Sequence, residues 1–150
     1  MGRRFSAEVE TILRQGGWFE GRRFDLTVYD EFPMRPHAAA GEVLAEFGGL
    51  QLGEVGPGID CARSDIDLTP AWTDSEFTGW SDLDQRVGSR LYPLGEFHRG
   101  NAYLLIDEAR RIHAIGPGDL FLIAPTFDEA LELLLLGKRP AGDRAPSSID

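Results

Sequence analysis

Four short apolar runs follow one another late in the chain, and turn-forming residues separate each from the next. They cover residues 91–97, 102–106, 111–115 and 120–124. Short apolar runs bounded by glycine or proline are typical of β-strands, and consecutive strands joined by short connections usually lie side by side. The pattern therefore predicts an antiparallel meander of four strands in chain order.

Three segments outside this meander have the periodicity of amphipathic helices. The first covers about 7–15 and follows Ser6, a good N-cap with acidic residues after it. The second covers about 37–47, and its apolar residues share one stripe. The third covers about 127–136 and follows the meander. Helices on both sides of a meander in sequence predict helices packed against a sheet.

The third helix has the clearest start signal. Thr126 and Glu129 have the spacing of a capping box, in which a hydroxyl and a carboxylate satisfy free backbone amides. Its leucines surround much of the helix, so it needs extensive burial. Leu131, Leu134 and Leu135 are spaced i, i+3 and i+4, and we expect all three in the core.

Four shorter segments have weaker patterns. The residues favour strands at 27–29, at 50–55 and at 66–69, and a short helix at 81–87. With the stronger elements they predict an α+β fold, an antiparallel meandering sheet flanked by helices.

The length of 150 residues fits one domain. We expect a single domain over 1–139 and a loose polar tail over 140–150. No apolar run approaches the length that a helix needs to cross a bilayer, and acidic residues follow the basic start where a signal peptide is apolar. These features predict a cytoplasmic protein.

The net charge of −10 is concentrated in the middle of the chain. Residues 38–85 have ten acidic side chains and one basic side chain, whereas the segments before and after are close to neutral. A field of this sign repels nucleic acid and anionic membranes and attracts basic partners. We therefore expect a protein partner and neither a nucleic-acid nor a membrane partner.

The sequence contains no motif that requires an enzyme, a metal or a cofactor. Cys61 is the only cysteine, has no histidine near it in sequence, and is expected to be a packing residue. His37, His98 and His113 do not have the spacing of metal ligands. Proline at 117 removes an amide that a phosphate-binding loop needs. A small enzyme remains an alternative that a buried carboxylate–histidine pair in a deep pocket would favour.

The stretch 64–85 is the strongest candidate for a functional surface. It contains six acidic residues, no basic residue and interleaved aromatic residues. Acids around aromatic anchors are typical of a partner-binding surface, although the aromatic residues are equally consistent with core positions beneath acids that contact only solvent. The candidate partner-binding residues are Asp65, Asp67, Trp72, Asp74, Glu76, Trp80, Asp82 and Asp84.

An ordered set of short motifs resembles one known family. The motifs are Gly17-Trp18 and Gly21-Arg22, the helix end 46–50, the run 91–95, the segment 105–108 and the helix start 128–131. In this order and spacing they resemble the third subgroup of the SUKH superfamily of bacterial immunity proteins. The resemblance covers roughly residues 6–137. One departure is Ala109, where the family usually has glycine after the acidic residue.

The resemblance implies an α+β fold with a central antiparallel sheet and no catalytic residues. It also implies a role, which is to bind and neutralise a cognate polymorphic toxin, often a nuclease or deaminase. Toxins that act on nucleic acid are usually basic, which agrees with the acidic middle of this chain. The alternative function is a regulatory module that binds a different protein partner.

Overall fold

A computed structural model describes residues 4–31, 35–69, 81–116 and 119–138. It contains four α-helices, one 3-10 helix and six strands within those ranges. In chain order they are α1 (Ala7–Gln15), the 3-10 helix (Leu26–Glu31), α2 (Ala38–Phe47), β1 (Gln51–Leu52), β2 (Ile66–Asp67), α3 (Ser81–Val87), β3 (Tyr92–Phe97), β4 (Ala102–Ile106), β5 (Ile112–Gly116), β6 (Asp119–Ala124) and α4 (Phe127–Leu136).

The six strands form one antiparallel sheet in chain order, from β1 at one edge to β6 at the other. The ladder is interrupted between Pro93 and Gly95 of β3 and between Ile112 and His113 of β5. The α+β fold and the four-strand meander predicted from the apolar runs are confirmed.

One face of the sheet carries the main core. Side chains alternate between the two faces of a strand, so Leu104 and Ile106 of β4 point to one face and Leu105 to the other. Leu104 and Ile106 pack with buried residues of α1, α2 and α4, including Leu13, Leu44 and Leu131, in a single cluster. This face, the covered face, is closed by three helices.

Among the described residues, the opposite face is covered more thinly. Its described cluster of buried residues has three members, Leu83 of α3, Leu91 and Leu105. Partly buried side chains complete it: Val87, Tyr103, Ile115 and Leu120. This face, the open face, is therefore packed by the short helix α3 and keeps several large side chains in contact with solvent.

The N-cap half of the predicted capping box is present at the start of α4, whereas the Glu129 carboxylate faces the Thr126 hydroxyl at 3.5 Å and not its backbone N–H. The Thr126 hydroxyl accepts the backbone N–H of Glu129 at 3.2 Å, and Gly137 ends the helix in the left-handed conformation at φ 68°. Leu131 and Leu135 are buried as predicted, whereas Leu134 is only partly buried at the edge of the core. The inward stripe continues to Leu136 instead.

The loop over residues 56–64 wraps around the other end of α4. Ile59 donates its backbone N–H to the carbonyl of Leu136, Asp60 and Cys61 donate to Gly137, and Ser64 donates to the Leu134 carbonyl. These bonds satisfy carbonyls that a helix end leaves free. Cys61 itself is exposed, so its expected packing role is wrong.

Two of the weaker expectations need correction. Residues 27–29 belong to the 3-10 helix, because the Asp25 carboxylate accepts the backbone N–H of Thr27 and starts a turn, while Tyr29 is buried against Phe24 and Tyr92. The strands expected at 50–55 and 66–69 are real but only two residues long. The short helix at 81–87 is present.

Candidate partner-binding surface

Three of the predicted surface acids are described with their side chains, and each is partly exposed. Asp65 accepts the backbone N–H of Arg99 at 2.8 Å, and Asp67 accepts that of Thr69 at 2.9 Å. Asp84 accepts the N–H of Leu91 at 3.0 Å, which ties α3 to the start of β3. Each carboxylate therefore also supports the local backbone.

The other candidate residues lie partly or wholly outside the described part of the molecule. Asp82 lies in α3, with its side chain outside the described part of the molecule. Trp72, Asp74, Glu76 and Trp80 lie outside the described residues altogether. Their part in partner binding stays a prediction.

The sheet register adds an acid that the sequence analysis missed. Asp67 of β2 lies directly opposite Glu96 of β3. Both neighbours of Asp67, Ile66 and Leu68, point into the main core, so Asp67 faces the open side of the sheet. Like charges directly opposite on neighbouring strands destabilise a sheet. The pattern in the sequence that could have indicated this direction is the alternation of polar Glu96 with apolar Phe97, which is buried.

The acidic pair borders apolar side chains on the same face. Tyr103 lies opposite Glu96 in the next strand, followed by Ile115 and Leu120 across β5 and β6. Helix α3, which carries Asp84, packs on this face through Leu83. The open face therefore combines carboxylates at β2, β3 and α3 with partly exposed apolar side chains at β4 to β6. Such a surface suits a partner that offers basic groups around an apolar contact.

A buried carboxylate–histidine pair lies at the end of β4. The Asp107 side chain is fully buried and accepts His113 Nε2 at 2.9 Å and Arg111 Nε at 2.7 Å. Its other oxygen accepts the backbone N–H groups of Ala109 and Arg111. Burial acts to raise the pKa of Asp107, but these hydrogen bonds and the charge of Arg111 outweigh it and lower the pKa.

This pair has the arrangement of a structural contact. Both Asp107 oxygens are occupied by donors, and no hydroxyl or thiol among the described residues bonds to His113. The structure has one cavity beside α2, one beside β1 and one beside Trp18, and neither Asp107 nor His113 lines any of these three. The four-donor cradle holds the turn between β4 and β5, where Arg110 adopts a left-handed φ of 72°. Ala109 stands where the similar family usually has glycine. Its φ is not positive, so the turn does not require glycine at this position.

A cavity of about 250 Å³ lies between α2, α4 and the end of β4. Arg4 bridges Glu46 and Asp128 across its rim at 2.7 Å each, and Arg110 pairs with Glu42 at 2.8 Å. Each of these cations therefore has a carboxylate partner within the chain. The ion pairs join α2 and α4 and support the covered side of the molecule.

The other histidines have structural surroundings. His37 caps α2, because Nδ1 accepts the N–H of Ala40 and Nε2 faces the carbonyl of Ile106 at 3.1 Å. His98 lies in the turn between β3 and β4 with a φ of 57°. Within the described ranges, no three His, Cys, Asp or Glu side chains are arranged to hold a metal ion.

Comparison with protein families decides where the chain belongs. A family model described as SUKH-3 immunity protein matches residues 5–137, which includes every helix and strand of the structure. The chain belongs to the SUKH-3 immunity protein family. Membership confirms the resemblance seen in the motifs and implies immunity to a toxin. Trp18 and Tyr92, two motif residues of this SUKH-3 chain, are buried packing residues.

No curated protein and no solved structure matches this SUKH-3 chain significantly. In the part of the chain that the structure describes, no helix has the length and apolar character to span a membrane.

Proposed function

We propose that this SUKH-3 protein neutralises its cognate toxin by direct, stoichiometric binding in the cytoplasm, without catalysis or cofactor. The observation that carries this proposal is the open face, where Asp67 and Glu96 are directly opposite each other beside apolar side chains. Both carboxylates contribute to the negative field of this face. A partner with a basic surface is attracted to that field and can bury the neighbouring apolar side chains.

The partner class follows from charge. A toxin that cuts or deaminates nucleic acid needs a basic surface to contact phosphates. An acidic inhibitor resembles that phosphate array, and the long-range attraction raises the rate of encounter. A basic nuclease or deaminase is therefore the toxin class that this chain suits best.

The proposed interface extends from the open face into the acidic stretch 64–85. Its acids act mainly on the association rate, because charges at the edge of an interface steer the encounter. Trp72 or Trp80 is the proposed apolar anchor, since tryptophans are frequent hot spots at the centre of interfaces. Loss of an anchor acts on the dissociation rate instead.

The test measures association between this protein and its cognate toxin domain, across a salt series. Reversing Asp74, Glu76, Asp82 and Asp84 to lysine together is expected to slow association at least tenfold at low salt and to flatten the salt dependence. Neutralising Asp67 and Glu96 as Asp67→Asn and Glu96→Gln is expected to act in the same direction with a smaller effect.

A matched control removes two acids away from this surface. Glu8 and Glu20 are exposed, and neither takes part in an ion pair with another described residue. Glu8→Gln with Glu20→Gln changes the net charge as much as the Asp67 and Glu96 pair does. Equal rates for the two double variants, with unchanged unfolding midpoints, would place the interface elsewhere.

A further inference from the structure

The outer edge of β6 is the second surface that the fold leaves available. β6 is the last strand of the sheet and pairs with β5 on one side, and no described strand lies on its other side. An edge strand presents backbone donors and acceptors to any chain that can lie along it. Proteins usually protect such an edge with charged side chains or proline within the strand.

The middle of β6 has the opposite character. Phe121 is 50% exposed and Leu122 is 54% exposed, while the following Ile123 and Ala124 are buried. Adjacent residues of a strand point to opposite faces, so a large apolar side chain stands on each side of this edge. An added strand would cover both. Among the described residues, the other large exposed apolar side chains, Phe19, Val28 and Ile59, are single residues in separate segments.

Charge indicates what kind of segment fits there. β6 contains one acid, Asp119, and no lysine or arginine, and the chain has a net charge of −10. A second copy of this chain would bring the same negative charge. Like charge opposes pairing of two copies, whereas a basic segment is complementary to this edge.

The edge is also continuous with the open face. Leu120 of β6 packs against the cluster of Leu83, Leu91 and Leu105, which also holds α3 in place. A partner bound along β6 would therefore border the helix that carries Asp84. One partner can contact the acidic surface and the edge together.

We propose that the outer edge of β6 binds an extended, basic segment of the partner as a seventh strand of the sheet. Backbone hydrogen bonds hold the segment, and its apolar side chains cover Phe121 on one face and Leu122 on the other. The assignment of that segment to the toxin rests on the proposed function. The binding preference of the edge does not, so it can be tested without the toxin.

The test uses three capped seven-residue peptides with isotope-labelled full-length protein. The first has three central valines flanked by two lysines on each side, so that valines lie on both faces of the added strand; the second replaces the lysines with glutamate, and the third replaces the central valine of the first with proline. The first peptide is expected to shift the amide resonances of 121–123 and to slow their hydrogen exchange at least tenfold at saturation. The proline peptide has the same charge but cannot complete the backbone ladder, so it is expected to leave exchange at β6 unchanged.

Variants separate the edge from general charge attraction. Leu122→Lys is expected to weaken binding of the lysine–valine peptide at least tenfold, and the control Ile59→Lys is expected to leave it unchanged. Both positions are exposed, so both variants keep the fold. Equal shifts with the proline peptide, or equal loss in Ile59→Lys, would overturn the proposal. So would a dimer seen by light scattering that Leu122→Lys dissociates, since the occupant would then be a second copy.

The outcome is independent of the toxin experiment. Failure of the peptides to bind β6 removes the edge and leaves the acidic surface as the only proposed interface. Toxin association that is insensitive to the acidic variants removes that surface and leaves the strand preference of β6 standing.

Discussion

The two faces of the sheet differ in how they are covered, although they share the same strands. Three helices close the covered face, and its buried residues form one continuous cluster. In the part of the chain that the structure describes, the open face has one helix of seven residues and three buried side chains, together with the facing acids Asp67 and Glu96. One face therefore supplies most of the apolar burial, and the other keeps charged and apolar groups in reach of solvent.

The difference indicates that the two faces of the sheet have different roles. Apolar burial is the main favourable contribution to folding, so the covered face carries most of the stability. The proposed partner-binding surface must keep charged and apolar groups within reach of a partner. A thinly covered face can do this because the other face already holds the fold together.

The largest expected effect compares neighbouring leucines of β4. Leu104 points into the covered face and Leu105 into the open face, and both are fully buried. Leu104→Ala is expected to lower the free energy of unfolding by about 4 kcal/mol, and Leu105→Ala by about 2 kcal/mol. The partly exposed neighbours of Leu105 can move into the space, whereas the dense cluster around Leu104 cannot. Urea denaturation measures both, and equal losses would contradict the division between the faces.

A smaller effect is expected at the turn that joins β4 and β5, where polar contacts replace apolar burial. Asp107→Asn leaves a donor facing a donor in a buried site and is expected to cost about 2 kcal/mol at pH 7. The pKa of Asp107 is lowered in the folded protein. Its stabilising contribution is therefore complete above the unfolded value of 3.8 and is lost as the pH falls through the folded pKa.

Unfolding measured from pH 7 to pH 2.5 checks the sign of this dependence. The difference between the wild type and Asp107→Asn is expected to shrink as the pH falls below 3.8. Glu108→Gln, one residue along in an exposed ion pair with Arg90, serves as the control and is expected to change stability much less than Asp107→Asn does. A constant difference across the pH range would show that Asp107 acts through its shape and not its charge.

The smallest effect compares one side-chain acceptor on each side of the sheet. Thr126 accepts a backbone N–H at the start of α4, and Asp84 accepts that of Leu91 beside α3. Thr126→Ala is expected to cost about 1 kcal/mol, and Thr126→Ser to restore most of it. Asp84→Ala is expected to cost about 0.5 kcal/mol, because water can replace its partly exposed carboxylate. Thermal unfolding resolves the two, and a larger loss at Asp84 would reverse the comparison.

Sequence patterns predicted those parts of the fold where local chemistry and burial agree. The strands β3 to β6 follow apolar runs bounded by turns, and α4 follows its predicted N-cap. The strand predicted at 27–29 was wrong, because the Asp25 carboxylate starts a turn at Thr27 and the 3-10 helix buries Tyr29. Leu134 was predicted in the core but is only partly buried, because the buried side of α4 includes Leu136 in its place.

Contacts between distant segments could not be predicted. Arg4 meets Asp128 across 124 residues, and no local pattern marks either as a partner of the other. Glu96 joined the acidic surface only through strand register, which one sequence does not specify between β2 and β3. Charge distribution did mark the segment that contains Asp65, Asp67 and Asp84, since a field is a property of composition.

Residues 56–64 and α1 pack on α4, which the ribosome makes later than either of them. About 110 residues separate the end of α1 at Gln15 from the start of α4 at Phe127. At about 5–20 residues per second, a ribosome needs roughly 6–20 s to make the intervening chain. During that interval α1 and the 56–64 loop lack the helix they pack on. Each new molecule therefore completes its main core only once α4 has been made, so the proposed protection against a toxin at any moment depends on molecules finished earlier.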